Sequence, residues 1–450
     1  MDQSKREVKS NAEVSADDHK YVFHSWSAQG AISPIPVAKS SGSRFWDFDG
    51  KEYLDFSSQL VFTNIGHQHP VVVAAIQEQA GILTALAPQH ASDTRNEAAK
   101  RIVEVAGADF VKVFFTNGGA DAIENAIRMC RIHTRKHKIL STYRSYHGNT
   151  GAAINATGDP RRFPNEFAAG HVHFWGPYLY RSAFWATTEA EECARALEHL
   201  EQTIIFEGPN TIAAILIESV PGTAGVLTPP NGYLEGVRAL CDKYQIKWIA
   251  DEVMAGFGRT GKWFAFQSSD VHPDLITFAK GVTSGYVPLG GVVISEEISK
   301  TFDQQVFPGG LTYMGHPLAS AAAVATIDVM KSEKMLANAT NIGAKIFAPG
   351  LDKLAQKHKV IGDIRGAGVF WGVDLVTNRD TREPLAPYGG TSPAMNELVA
   401  ACKANGMMPF TNFNRIHFCP PCNISEADAN LGLEILDKSL AIIGKYYTGQ

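Results

Sequence analysis

The chain has 450 residues, 45% hydrophobic and 19% charged, with a formal net charge of −5. This is the composition of an ordinary globular protein with a large core and two or three domains. It offers no footing for nucleic acid or an anionic membrane, and no apolar run approaches a bilayer span.

The first 20 residues are polar and lack an apolar stretch. They read as an arm, disordered or folded onto a partner subunit, with no secretory signal. Six cysteines are scattered: Cys130, Cys193, Cys241, Cys402, Cys419 and Cys422. They form no disulfide framework in a chain of this size. Cys419-Pro-Pro-Cys422 has redox-pair spacing without the strand-to-helix setting such a pair needs, so free thiols and a cytoplasmic location are expected. There is no tandem repeat, low-complexity tract or Pro/Ser-rich linker. A second domain must therefore draw on both ends of the chain.

Residues 43–56 predict a hairpin turning at Asp49-Gly50, and a helix starts near Val71. His67 and His69 have no acidic or Cys company and read as a loop, not a metal site. Val111–Thr116 is a buried-strand run ending in Asn117-Gly118-Gly119-Ala120-Asp121, followed by a helical pattern. Strand, glycine loop and helix start make an anion site, because free backbone N–H groups and the helix dipole point at the ligand. His133 and His137, spaced i,i+4 on that helix, read as a solvated basic face. A strand then leads to Tyr146-His147-Gly148. Residues 149–210 are loop-rich and aromatic, with a helix from about Glu189 to Ile205, and suggest no chemistry. Ile212–Ile217 is a buried strand delivering Glu218.

Two strand-length apolar runs then deliver Asp251-Glu252 and Lys280-Gly281. In an open α/β sheet, ligands sit outside the carboxyl ends of the strands. A lysine and an acid presented together there suit pyridoxal phosphate chemistry: the lysine bonds the cofactor aldehyde and the acid keeps the pyridine nitrogen protonated. Gly256–Lys262 fits the start of a P-loop, but Trp263 stands where magnesium needs Ser or Thr, and no helix pattern opens there.

Asp251-Glu252-Val253, Gly256-Phe257-Gly258-Arg259-Thr260-Gly261, Asp274 and Lys280-Gly281 stand in the order and spacing of the class III (ω-) aminotransferases, and the resemblance runs from about residue 24 to the C-terminus. It implies an α/β fold of pyridoxal phosphate fold type I. The large domain, 65–325, would hold a mostly parallel seven-stranded sheet. A smaller α+β domain would combine 326–450 with part of 1–64.

The resemblance makes Lys280 and Asp251 catalytic. It places Gly119 and Ala120 at the phosphate, Ala120 standing where the family usually has Ser or Thr. Tyr146 would stack on one face of the cofactor ring and Val253 cover the other. The Gly309–Pro317 loop resembles one whose Thr, here Thr312, contacts the phosphate of the neighbouring subunit, which implies a homodimer or tetramer with shared sites. Glu218 would act as a gate, pairing with a mobile arginine when no substrate carboxylate is bound. The near-terminal Phe413–Pro421 segment offers Arg415 as that clamp, with His417 as the other candidate. Val61 falls where related enzymes often carry a pocket tryptophan.

The implied reaction moves an amino group from an ω-amino acid or amine, of taurine or β-alanine type, to a 2-oxo acid, pyruvate or 2-oxoglutarate. A lyase or aminomutase on the same fold is the alternative. No metal is implied.

Overall fold

The computed structural model describes residues 9–107, 109–165 and 167–449. The apolar runs assemble into one seven-stranded sheet, ordered Phe110–Thr116, Gly290–Ser295, Leu275–Phe278, Lys247–Asp251, Ile212–Glu218, Lys138–Thr142, His171–Phe174. Gly290–Ser295 runs antiparallel to both neighbours, and every other adjacent pair is parallel. Continuous burial, not alternation, is what a sheet covered on both faces demands, and Ile212–Glu218 is buried throughout.

One face is covered by the helix Gly119–Thr134. Its Ala122, Ile123, Ala126, Ile127 and Cys130 recur at helical spacing and pack onto the central strands. On the other face lie the helices Asp93–Ala106, Glu189–Glu207 and Tyr233–Tyr244. Six strands end at the same edge. There Glu218 pairs in register with Asp251, and Asp251 with Thr277.

Two smaller sheets flank this body. The expected hairpin forms from Arg44–Asp47 and Glu52–Asp55, and Met407–Met408 adds a parallel strand from the far end of the sequence. The second runs Ile361–Ala367, Phe370–Asn378, Arg415–Phe418, Phe410–Asn412. The helix Pro317–Ser332 continues through position 325, where a domain boundary was expected.

The ends of the chain are tied together by fully buried Arg259. It donates to Asn64 Oδ1 at 2.8 Å and to the Cys419 carbonyl at 3.2 Å. Both Nη groups are engaged, which lets the guanidinium be buried, and the Gly256–Gly261 run is a turn that sends Arg259 inward.

Three local expectations change. The start of the expected N-terminal arm lies outside the described residues, but Asn11–Tyr21 is a helix closed by a Ser10–Glu13 capping box. The helix carrying His133 ends at Thr134, so His137 lies beyond it, and His133 meets Glu297 and Thr301. Within the stretch expected to be loop, His171–Phe174 is the edge strand of the main sheet. Four residues with two histidines carry little strand signal, and an edge position needs less.

Candidate active site

The register of the sheet assembles the site. Glu218 and Asp251 close adjacent strands, and Lys280 follows the next one with a left-handed backbone, φ +47°. A cavity of about 410 Å³ opens at this edge, lined by Lys280, Asp251, Glu218, Tyr146, Val253 and the Asn117–Ala120 loop. Seven residues singled out in the sequence therefore share one cavity: Gly119, Ala120, Tyr146, Glu218, Asp251, Val253 and Lys280.

Asp251 is fixed on several sides. Its Oδ1 accepts the Val253 N–H at 3.0 Å and lies 3.3 Å from Thr277 Oγ1. Its Oδ2 lies 2.7 Å from Nδ1 of His147, which is buried. Where the carboxylate accepts in this pair, Nδ1 is the donor. Glu218 accepts the Gly222 N–H at 2.8 Å and the Tyr146 N–H at 3.4 Å. Burial raises its carboxyl to about 7; Asp251 adds to the rise and His147 opposes it. Burial lowers the Lys280 amine, against the pull of Asp251 and Glu218. The Arg161 guanidinium sits 3.5 Å from the Tyr146 ring centroid and is held by Asp159.

Four expected residues stand outside this cavity. Arg415 donates to the carbonyls of Ala224 and Asn412, and Glu218 engages backbone N–H groups in its place. The expected Glu218–Arg415 pair is not made in this structure. His417 is fully buried, its Nε2 is 3.0 Å from the Gly222 carbonyl, and burial pushes its pKa down to about 3. A neutral ring so placed is no anion clamp. Val61 packs with Val220, Met254 and Phe370, while its neighbour Phe62 lines the cavity. Thr312 is exposed.

His147 and Arg161 join the site without having been singled out as candidates in the sequence. His147 was within reach, since it follows Tyr146 at a strand end. Arg161 sits in an aromatic loop with no local pattern to mark it.

The residues present fit pyridoxal phosphate. The group needs an amine for its aldehyde, an acid for its ring nitrogen and donors for its phosphate. Lys280 and Asp251 meet the first two needs. For the third, the helix Gly119–Thr134 begins at the cavity with no side-chain cap on its first turn, leaving N–H groups free for an anion. The cradle is tight: a Cβ on Gly119 would stand 2.9 Å from Val253 Cγ1, and one on Gly148, at φ +132°, 2.8 Å from Ala120 Cα. Ala120 supplies no hydroxyl, so a phosphate bound there would rely on backbone donors.

The family model described as aminotransferase class-III matches residues 26–440. A taurine–pyruvate aminotransferase of Bilophila wadsworthia is 34% identical over 96% of this chain and 98% of its own length. The hypotaurine/taurine–pyruvate aminotransferase of Paracoccus denitrificans is 33% identical, covering 92% and 94%. The crystal structure of a taurine:2-oxoglutarate aminotransferase from Bifidobacterium kashiwanohense, in complex with PLP and glutamate, matches with a TM-score of 0.95. Its sequence is 45% identical, over 98% of this chain and all of that one.

Proposed function

The chain belongs to the class-III aminotransferases, and on that premise we propose that it moves an amino group from a taurine-like or β-alanine-like ω-amino acid to a 2-oxo acid. The observation that carries this reading is the convergence of Lys280, Asp251 and the Gly119 helix start on one cavity. When bound, pyridoxal phosphate supplies an aldehyde carbon for the amino group and a protonated ring that draws off electron density.

The chain's own residues divide the remaining work. Lys280 Nζ would hold the aldehyde end of the cofactor and, when free, would carry the proton at the reacting carbon. Burial lowers its basicity, which suits an amine that must also give up a proton. Asp251 would keep the ring nitrogen protonated, with His147 aligning its carboxylate. Val253 and Tyr146 would hold the ring between them. Backbone N–H groups at Gly119 and Ala120 would take the phosphate.

Thr312 is assigned to the neighbouring subunit's phosphate in a homodimer or tetramer, a reading supported by its exposure and by its not lining the cavity of its own chain. The clamp role of Arg415 requires its guanidinium to leave the Ala224 and Asn412 carbonyls and swing toward the substrate acid. Six free cysteines support a cytoplasmic location. Among the described residues, no helix is long and apolar enough to cross a membrane.

The named relatives act on taurine or hypotaurine and are all aminotransferases, which favours transfer over a lyase or aminomutase reaction. A panel of taurine, hypotaurine, β-alanine and simple amines, each tried with pyruvate and with 2-oxoglutarate, tests the proposal. Alanine or glutamate should form only with its matching acceptor. Consumption of donor without any amino-acid product would establish the lyase reading instead.

A further inference from the structure

Beside the catalytic cavity, and sharing no lining residue with it, lies a second cavity of about 440 Å³. The two meet at one turn: Thr223 faces the catalytic side, while the Ala224 carbonyl accepts from Arg415 on the other. Among the described residues, the guanidinium groups of Arg144, Arg181 and Arg415 line the second cavity, together with the Asp374 carboxylate. That carboxylate is already engaged. Tyr178 Oη donates to it at 3.0 Å, Asn414 Nδ2 at 2.9 Å, and Arg365 also binds it.

Arg144 is the unexplained member. Its guanidinium stacks 5.0 Å from the Trp175 ring centroid and 5.2 Å from that of Tyr178. Among the described residues, no side-chain hydrogen bond or ion pair engages it. Its backbone sits at φ +71°, a left-handed conformation costly for arginine. Burial pulls its pKa below the usual arginine range. Nearby, Arg181 donates through Nη1 to the Arg382 carbonyl at 2.6 Å and its Nε stands 3.9 Å from Asp374, while its Nη2 is buried without a hydrogen-bond partner. Proteins rarely leave a guanidinium such as that of Arg144, or a buried nitrogen such as Arg181 Nη2, without an acceptor. An anion would satisfy them, and the planar fork of arginine matches carboxylate or sulfonate oxygens. The aromatic walls Trp175, Tyr178 and Tyr388 suit a short apolar stem behind the acid group.

We propose that this cavity binds a small carboxylate or sulfonate anion, with Arg144 and Arg181 as its principal donors. The anion comes from one of two sources: the acid end of a substrate, or a separate small acid. The binding claim is independent of the donor's identity, and only the competition arm below rests on the aminotransferase reading.

Titration calorimetry of the holoenzyme with methanesulfonate and with glutarate tests it. Saturable binding of at least one of them is expected in the wild type. Arg144→Gln and Arg181→Gln should each weaken it by roughly tenfold or more, with part recovered in Arg144→Lys. Should Arg144→Gln fail to fold, Arg181→Gln carries the comparison. Inhibition competitive with the oxo acid identifies a substrate's acid end as the source, and non-competitive inhibition identifies a separate anion. Absence of saturable binding in the wild type, or unchanged affinity in the folded variants, overturns the site whether or not transamination is observed.

Discussion

Replacing Asp251 with Asn tests the site most sharply, because the surroundings let the charge be removed with little else. Oδ1 would still accept the Val253 N–H, now at 3.0 Å. The new amide nitrogen would face Nδ1 of His147, now 2.7 Å from Oδ2. Two donors would clash there, but His147 Nε2 is buried without a partner. The ring can carry its proton on Nε2 and accept the amide at Nδ1. The fold should therefore survive, and the loss is one negative charge beside the ring nitrogen.

At an effective dielectric near 20, two charges about 4 Å apart attract by about 4 kcal/mol, which corresponds to about a thousandfold in rate. Rapid-mixing kinetics of the donor half-reaction, followed through the visible band of the bound cofactor, gives that rate directly, and the same spectrum reports cofactor content. A thousandfold loss with near-normal content is expected. A variant within tenfold of wild type at full cofactor content would remove Asp251 from the mechanism and refute the electrostatic argument.

Lys280→Ala should retain cofactor through the phosphate cradle yet lose turnover. In the wild type, borohydride reduction and peptide mass spectrometry should place the adduct on Lys280, and an adduct on another lysine would sink that assignment. Gly119→Ala puts a methyl 2.9 Å from Val253 Cγ1, an overpacking cost of about 1–3 kcal/mol. Cofactor affinity, measured by absorbance titration, should fall by roughly five- to a hundredfold, and unchanged affinity would mean that Val253 is free to move. Glu218 takes up a proton on folding, since its carboxyl rises from 4.5 to about 7. Its contribution to stability is thus full below pH 4.5, declines as pH rises, and is lost above 7, a swing on the order of 3 kcal/mol. Glu252 has the same shift for the same reason, burial, so the melting temperature of cofactor-free Glu218→Gln should fall less between pH 5 and 8 than that of wild type, and equal slopes would contradict the assignment. Arg415→Ala should slow the oxo-acid half-reaction far more than the half-reaction with an uncharged amine. Equal slowing would make Arg415 a structural residue.

Local pattern determined the central strands and the Asp251–Lys280 chemistry at their ends, though not the edge strand His171–Phe174. Ile212–Glu218 and Lys247–Asp251 are apolar runs bounded by polar residues, and such runs announce themselves because a sheet covered on both faces leaves no polar side. The rule that ligands sit at strand carboxyl ends then put Asp251 and Lys280 together without coordinates, and the family resemblance added Glu218. The glycine loop before the Gly119 helix was legible for a similar reason: it concerns consecutive residues and the free N–H groups of one helix start.

Tertiary structure decided what depends on residues far apart in the chain. His147 meets Asp251 across 104 positions, and no spacing rule reaches that far. Arg415 and His417 are two residues apart on one short strand, and from sequence either suited a clamp. Only packing showed His417 sealed against Gly222 and Arg415 turned toward a second cavity. The helix bearing His133 stops at Thr134 because Arg135 adopts a left-handed backbone, which the basic run around it does not signal. Arg144 and Arg181 lie in stretches without periodicity. They acquire meaning only when the fold brings Asp374 and Arg415 alongside, since a charge is interpretable only through the charges and solvent around it.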